Sequence, residues 1–135
     1  MEKKRHILLI EDDKNDMLFF AEAYKQTQIP SKCTWAQSGE QALSQLAYIT
    51  PDIVFLDLEM PGMDGFQCLE LIRSVPRLHD IPVVVYANAL TSSTRERAMT
   101  LGATGCMEKL HVPDELVQKL RPFLGAAANL VKNPE

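Results

Sequence analysis

The chain has 135 residues, 46% of them hydrophobic and 24% charged, and a formal net charge of −4, values of a single soluble globular domain built on one core. The negative balance, with no dense run of lysine or arginine, argues against nucleic-acid binding through phosphate neutralisation. No apolar stretch approaches the roughly 18 residues of a membrane-spanning helix, and the N-terminal apolar run ends in acids rather than small cleavable residues, which speaks against a signal peptide.

Residues 6–10 carry a contiguous apolar run, Ile7-Leu8-Leu9-Ile10, expected as the first strand. Residues 15–26 place Met17, Leu18, Ala21 and Tyr24 near one face of a helix. Residues 31–36 alternate, Cys33 and Trp35 against Thr34, as an edge strand does. A helical stripe of Ala42, Leu43, Leu46 and Ala47 follows over 39–48. The third strand is expected over 52–57, then a helix over 65–74 with Phe66, Leu69 and Ile72 at helical spacing. Residues 81–86 form a fourth, apolar strand. Ser93-Thr94-Arg95-Glu96 fits a capping box opening the next helix, and Gly102 fits its end. A short fifth strand covers 104–107. Pro113-Asp114-Glu115 then opens a last helix, with proline in the first turn and acids near its positive end; its face is Leu116, Val117, Leu120, Phe123 and Leu124. The tail over 125–135 is expected to continue this helix in part, through Ala126-Ala127-Ala128, and then fray. Cys33, Cys68 and Cys106 are far apart with no CxxC spacing, which predicts reduced, mostly buried thiols in a cytoplasmic protein.

Strand and helix thus alternate five times. Contiguous apolar strands separated by helices imply an α/β fold: a parallel sheet covered on both faces and wound with right-handed crossovers. In such sheets sites form beyond the carboxyl ends of the strands, where the strand order reverses. For a five-stranded order 2-1-3-4-5 the reversal lies between strands one and three. Those strands end in Asp12-Asp13 and Asp57, so topology brings three carboxylates together. Crowded carboxylates raise one another's pKa unless a cation intervenes. Mg2+ fits best, because it takes one or two carboxylates and keeps water for phosphate oxygens. Lys109, after the fifth strand, could add a positive charge across the site. Each residue also has an ordinary reading: Asp13 as a helix cap, Asp57 as a turn residue before Pro61-Gly62, Lys109 as a solvated charge. Their joint placement favours a site.

The segments ILLIEDD, DIVFLDLEMPGMDGFQCLELIR, IPVVVYAN and GATGCMEKLHVPDEL resemble the successive signature segments of receiver domains from two-component response regulators, over about residues 7–124. The resemblance implies a receiver over 1–124 with an extension over 125–135. It implies Asp57 as phosphoacceptor, Asp12 and Asp13 as the acidic pair that holds Mg2+ with Asp57, the backbone carbonyl of Glu59 as a further ligand, and Lys109 in contact with the phosphoryl group. A sensor histidine kinase or phosphotransfer protein would supply that group. A stand-alone receiver would signal by binding a downstream protein, with no nucleic acid or membrane involved. The usual interface, also for homodimers, is the surface of the fourth helix, fifth strand and fifth helix.

Three positions depart from the family pattern. Ala87 stands where a threonine or serine usually bonds the phosphoryl group; losing one charge-assisted hydrogen bond removes about 1.5–3 kcal/mol of bias toward the active state. Thr91, Ser92 and Ser93 lie nearby, where helix capping is the ordinary role of such residues. Cys106 replaces an aromatic that changes rotamer with the switch, and Tyr86 is the nearest aromatic on the fourth strand. Leu110 replaces the proline that usually follows the lysine, which predicts a trans bond there. Asp12, Asp13 and Asp57 are untouched, so phosphoryl acceptance with an altered switch is expected. The competing reading is a phosphorylation-independent adaptor. An aspartate-nucleophile phosphatase of the haloacid dehalogenase type would need an aspartate where Glu59 stands, and a flavodoxin-like cofactor carrier would need a glycine-rich phosphate loop.

Overall fold

The computed structural model describes residues 5–124; the expected extension over 125–135 lies outside the described residues. In chain order the elements are β1 (Arg5–Ile10), α1 (Lys14–Gln26), β2 (Ser31–Ala36), α2 (Gly39–Leu46), β3 (Ile53–Asp57), α3 (Gly65–Ser74), a 3-10 turn (Pro76–Leu78), β4 (Val83–Ala87), α4 (Ser92–Thr100), β5 (Gly105–Glu108) and α5 (Pro113–Leu124). The strands form one sheet in the order β2-β1-β3-β4-β5, every pair parallel. This is the doubly wound α/β sandwich expected from the alternation of apolar strands and helices.

The two-residue period of the strands divides the core into two layers. Leu8, Ile10, Val54, Leu56, Val83 and Val85 point to one face and pack with Ala42 and Leu46 of α2, Leu69 and Ile72 of α3 and Ala98 of α4. Ile7, Leu9, Ile53, Phe55, Val84 and Tyr86 point to the other, against Phe20 and Ala23 of α1 and Leu116, Leu120 and Leu124 of α5. Every residue of β3 and β4 is buried, as central strands covered on both faces must be. Edge-on ring contacts knit the second layer: Phe20 lies 5.1 Å from Phe55 and 5.7 Å from Tyr86, and Phe123 lies 6.0 Å from Phe55.

Several boundaries shift by one or two residues from expectation, and two of the shifts have identifiable reasons. β4 starts at Val83 rather than at 81, because Pro82 has no N–H for the ladder and contributes only its carbonyl, which accepts from Val54 N at 2.9 Å. The α4 cap is Thr91, not the expected box at Ser93: Thr91 Oγ1 accepts from Thr94 N at 3.1 Å and Thr91 O from Arg95 N at 3.0 Å. The 3-10 turn was not expected. It is held from α3, where Arg73 Nη1 donates to Leu78 O at 3.2 Å and Ile81 O at 2.8 Å, while Nε donates to Gly102 O at 2.8 Å.

The turn after β3 doubles back, Gly65 N donating to Leu58 O at 3.0 Å, and α3 starts against the strand end. Asp64 caps α3 in a reciprocal box with Gln67, Oδ1 accepting from Gln67 N at 2.9 Å and Gln67 Oε1 accepting from Asp64 N at 3.1 Å. A Cβ on Gly65 would sit 2.5 Å from both Asp57 O and Leu58 Cα, backbone atoms that cannot yield. Gly65→Ala is therefore expected to destabilise the fold by about 1–3 kcal/mol. Gly105→Ala meets no atom within 4 Å and should stay within about 1 kcal/mol of the parent. Urea unfolding of the two variants checks this; matching midpoints would contradict the steric account.

Candidate functional site

β1, β3 and β5 each place a charged residue at or just past their carboxyl end. Asp57 is the last residue of β3 and 2% exposed. Ile10 of β1 pairs with Leu56, so the next residue, Glu11, comes beside Asp57. Glu11 is fully buried, and its N–H extends the ladder to Ala36 O at 2.9 Å. Lys109 follows β5, 6% exposed, its N–H donating to Ala87 O at 2.7 Å. Glu11, Asp57 and Lys109 share the strand parity of Ile7, Phe55 and Met107, so all three belong to the layer of α1 and α5.

The ammonium of Lys109 gathers the acids. Nζ lies 2.8 Å from Glu11 Oε1, 2.9 Å from Asp16 Oδ2 and 3.4 Å from Asp57 Oδ1. The Asp16 contact is a hydrogen bond. The Glu11 contact is a close charge pair without hydrogen-bond geometry, and Oε1 has no hydrogen-bond partner although it is buried. Burial pushes the Lys109 pKa down, but the close pairing with Glu11, the hydrogen bond to Asp16 and the charge of Asp57 outweigh it and hold the ammonium protonated. Burial, then the charge of Glu11, pushes Asp57 up to about 7 against the pull of Lys109. Asp57 Oδ1 accepts from Glu59 N at 3.2 Å, and the indole of Trp35 donates to Glu11 O at 2.7 Å.

Glu11, Asp12 and Asp57 each offer an oxygen within 4.8 Å of the others. One member is exposed and two are buried, and Glu11 Oε1 has spare acceptor capacity. This all-carboxylate set fits a hard divalent cation such as Mg2+. Asp13 departs from its expected place in the pair: it is the N-cap of α1, Oδ1 accepting from Asp16 N at 3.0 Å, and stands outside the grouping. Glu11 takes the position beside Asp57 instead. Counting register from the apolar run of β1 identifies it, because the strand ends at Ile10. Asp16 also went unnoticed; it is one turn into α1 and 93 residues from Lys109, with no short-range signal for the contact. Glu59 is exposed two residues past β3, where its amide orients Asp57.

Ala87, Cys106 and Leu110 have these surroundings. Ala87 ends β4, buried, and with Leu58, Glu59, Phe66, Thr94 and Arg97 borders a cavity of about 250 Å³. The Thr91 hydroxyl is engaged as the α4 cap. Cys106 is half-buried on β5 beside Val85, and Tyr86 packs in the core against Phe20. Among the described residues no peptide bond is cis, so the Lys109–Leu110 bond is trans as predicted.

A family model for the response regulator receiver domain matches residues 7–121, and the chain belongs to that family. The transcriptional regulatory protein BaeR of Escherichia coli is 30% identical over 124 residues, 91% of this chain and 49% of its own length. The chain spans about half the length of the curated relatives it matches. Among solved structures, the phosphorylated cyanobacterial phytochrome response regulator RcpA is similar at TM-score 0.81 and 26% identity, over 90% of this chain and 94% of that one. The Mn2+-bound form of response regulator Rcp1 gives TM-score 0.77 and 25% identity, over 88% of this chain and 91% of that one. Receiver domains are phosphoacceptor signalling modules that generally bind Mg2+ at an acidic pocket and interact with histidine kinases or phosphotransfer proteins. Among the described residues no helix is long and apolar enough to cross a membrane.

The raised pKa of Asp57 makes a pH prediction. Its folded value of about 7 exceeds the ordinary unfolded value, so the folded state holds the proton more tightly. That stability is fully present below about pH 4 and is lost as pH rises through about 7. In divalent-free buffer Asp57→Asn should exceed the parent by about 1–3 kcal/mol at pH 8, less than the full shift because Lys109 loses a partner. The gap should narrow as pH falls, and Mg2+ should stabilise the parent more than the variant. Unfolding midpoints from pH 5 to 8, with and without Mg2+, read both effects; a gap independent of pH would contradict the burial account.

Proposed function

We propose that this receiver domain accepts a phosphoryl group on Asp57 from a histidine kinase or phosphotransfer protein, in a Mg2+-dependent reaction, and signals through protein–protein contact. The observation that carries the reading is the buried Asp57 carboxylate beside both the Lys109 ammonium, 3.4 Å away, and the Glu11–Asp12 acids.

The chemistry follows from these side chains. Asp57 lends an oxygen lone pair to phosphorus as the donor's bond to phosphorus breaks, forming an acyl phosphate; the leaving group keeps the bonding electrons and takes its proton from water or a neighbouring acid. Phosphoryl transfer is mainly positioning and charge neutralisation. The Glu59 amide fixes the carboxylate rotamer through Oδ1. Lys109 neutralises charge gathering on the transferred oxygens, already desolvated and held at the pocket wall. Glu11, Asp12 and Asp57, with the backbone carbonyl of Glu59, would hold Mg2+, which would supply positive charge against the repulsion between the carboxylate and the incoming phosphoryl group.

The output is the finer part of the reading. The surface of α4, β5 and α5 is proposed as the contact for a downstream protein or a second copy. Arg95, Glu108, Glu115 and Lys119 line a broad recess there together with the apolar Leu110 and Phe123, a mix of charged and apolar side chains of the kind protein partners use. Ala87 favours a second reading, in which partner binding is independent of phosphorylation: without a hydroxyl at this position, phosphoryl oxygens have one fewer donor to draw the β4–α4 connection inward.

Two measurements separate these readings. Incubation with a small phosphodonor and Mg2+ should add one phosphoryl group to the parent by mass spectrometry and none to Asp57→Asn. An unlabelled parent beside a labelled receiver control would overturn the proposal. Ala87→Thr should bind beryllofluoride about tenfold more tightly than the parent, the low end of what a charge-assisted hydrogen bond contributes. An unchanged affinity would favour the phosphorylation-independent adaptor.

A further inference from the structure

Asp16 stands outside the Glu11–Asp12–Asp57 grouping, yet it makes the one directed hydrogen bond to Lys109 Nζ, at 2.9 Å. The element that carries it is fixed for this purpose. Asp13 caps α1 through the backbone N–H of Asp16 itself, and Glu11 Oε2 accepts from Asp13 N at 3.1 Å. The acids of the first loop thus have separate tasks: Glu11 beside Asp57, Asp12 at the open side, Asp13 as the cap, Asp16 on the ammonium.

A divalent ion seated on Glu11, Asp12 and Asp57 would draw on two of the three carboxylates that Lys109 touches. The Lys109 side chain is only 3% exposed, so water cannot replace those partners. A buried ammonium without a partner is costly, and that cost would oppose uptake of the ion. Building on the phosphoryl-acceptor reading above, we infer that Asp16 is a positioning residue that keeps Lys109 paired while Mg2+ takes Glu11 and Asp57. The hydrogen bond to α1 lets the ion and the ammonium occupy the site together, with Nζ left beside Asp57.

An acid in the first turn of a helix also complements the helix dipole, an ordinary role that would leave metal affinity alone. The test is a Mg2+ titration followed by the fluorescence of Trp35, the single tryptophan, whose indole is bonded to Glu11 O. Mn2+ binding, counted from the paramagnetic resonance of the free ion, supplies a direct second measure. Asp16→Asn should weaken binding of either ion about tenfold, the scale of one lost charge-assisted hydrogen bond. Asp16→Glu should recover part of that loss. Asp13→Asn removes a nearby negative charge while keeping a capping side chain, and should change affinity less than about twofold. Unfolding midpoints without divalent ions establish that each variant is folded. Equal weakening by Asp13→Asn and Asp16→Asn would reduce the effect to general charge and overturn the inference. So would an Asp16→Asn affinity within about twofold of the parent, even with Asp57 of the parent still labelled by a phosphodonor; in that case the phosphoryl-acceptor reading survives alone. A parent that binds neither ion and takes no phosphoryl group removes both.

Discussion

The site is organised by one buried ammonium. Lys109 is nearly removed from solvent and touches Glu11, Asp16 and Asp57 within 3.4 Å. Neither side of that cluster is tolerable alone. Two buried carboxylates beside each other repel, and a lysine without them would lose its charge to desolvation. Together they are held, but not fully satisfied, since Glu11 Oε1 lacks a directed hydrogen bond and Asp57 retains a raised pKa. Such a cluster has more negative charge than one ammonium offsets, and a hard divalent cation on Glu11, Asp12 and Asp57 would supply the balance.

Strand geometry is what makes the cluster possible. Parallel strands end on one edge of the sheet, so residues just past β1, β3 and β5 are neighbours however far apart in sequence. The two-residue period then selects the layer. Glu11, Asp57 and Lys109 continue the rows that hold Leu9, Phe55 and Met107 against α1 and α5. The packed aromatic group of Phe20, Phe55 and Tyr86 lies directly beneath. It gives the site a dry floor, and Lys109 Nζ stands 5.5 Å from the Tyr86 ring centroid. Core and chemistry are therefore not separate designs: a slip of one residue in any of these strands would move its charge into the opposite layer.

That rule also explains what was legible in the sequence. The strand order, the bounds of α3, the start of α5 and the convergence of Asp57 with Lys109 all follow from apolar periodicity and turn residues, which act over long windows. Choosing between Glu11 and Asp13 depends on where β1 ends, a one-residue question that three consecutive acids obscure. The α4 cap slipped by two residues for a similar reason, because Thr91, Ser92, Ser93 and Thr94 can all cap and only the β4–α4 connection selects among them. Asp16 was beyond local reading altogether, since its partner comes from the far end of the sheet. The 3-10 turn belongs to the same class: the carbonyls of Leu78 at its end and of Ile81 just beyond it accept from Arg73, a residue whose helical position gives no hint of that task.

The same division into layers places Ala87. Ala87 shares the parity of Val83 and Val85, so its methyl group belongs to the layer of α2, α3 and α4, opposite the acids and Lys109. Its backbone is common to both, because Ala87 O accepts from Lys109 N at 2.7 Å. A side chain here can therefore change without disturbing the ammonium, whose placement uses only the carbonyl. The alanine side chain offers no hydrogen-bond donor to the cavity that it borders with Phe66, Thr94 and Arg97. Arg97 is not free to swing without cost, since its guanidinium rests 4.0 Å from the Phe66 ring centroid. The charged cluster of Asp57 and Lys109 and the side chain of Ala87 thus lie on opposite faces of one sheet, so a change of side chain at Ala87 leaves the cluster in place.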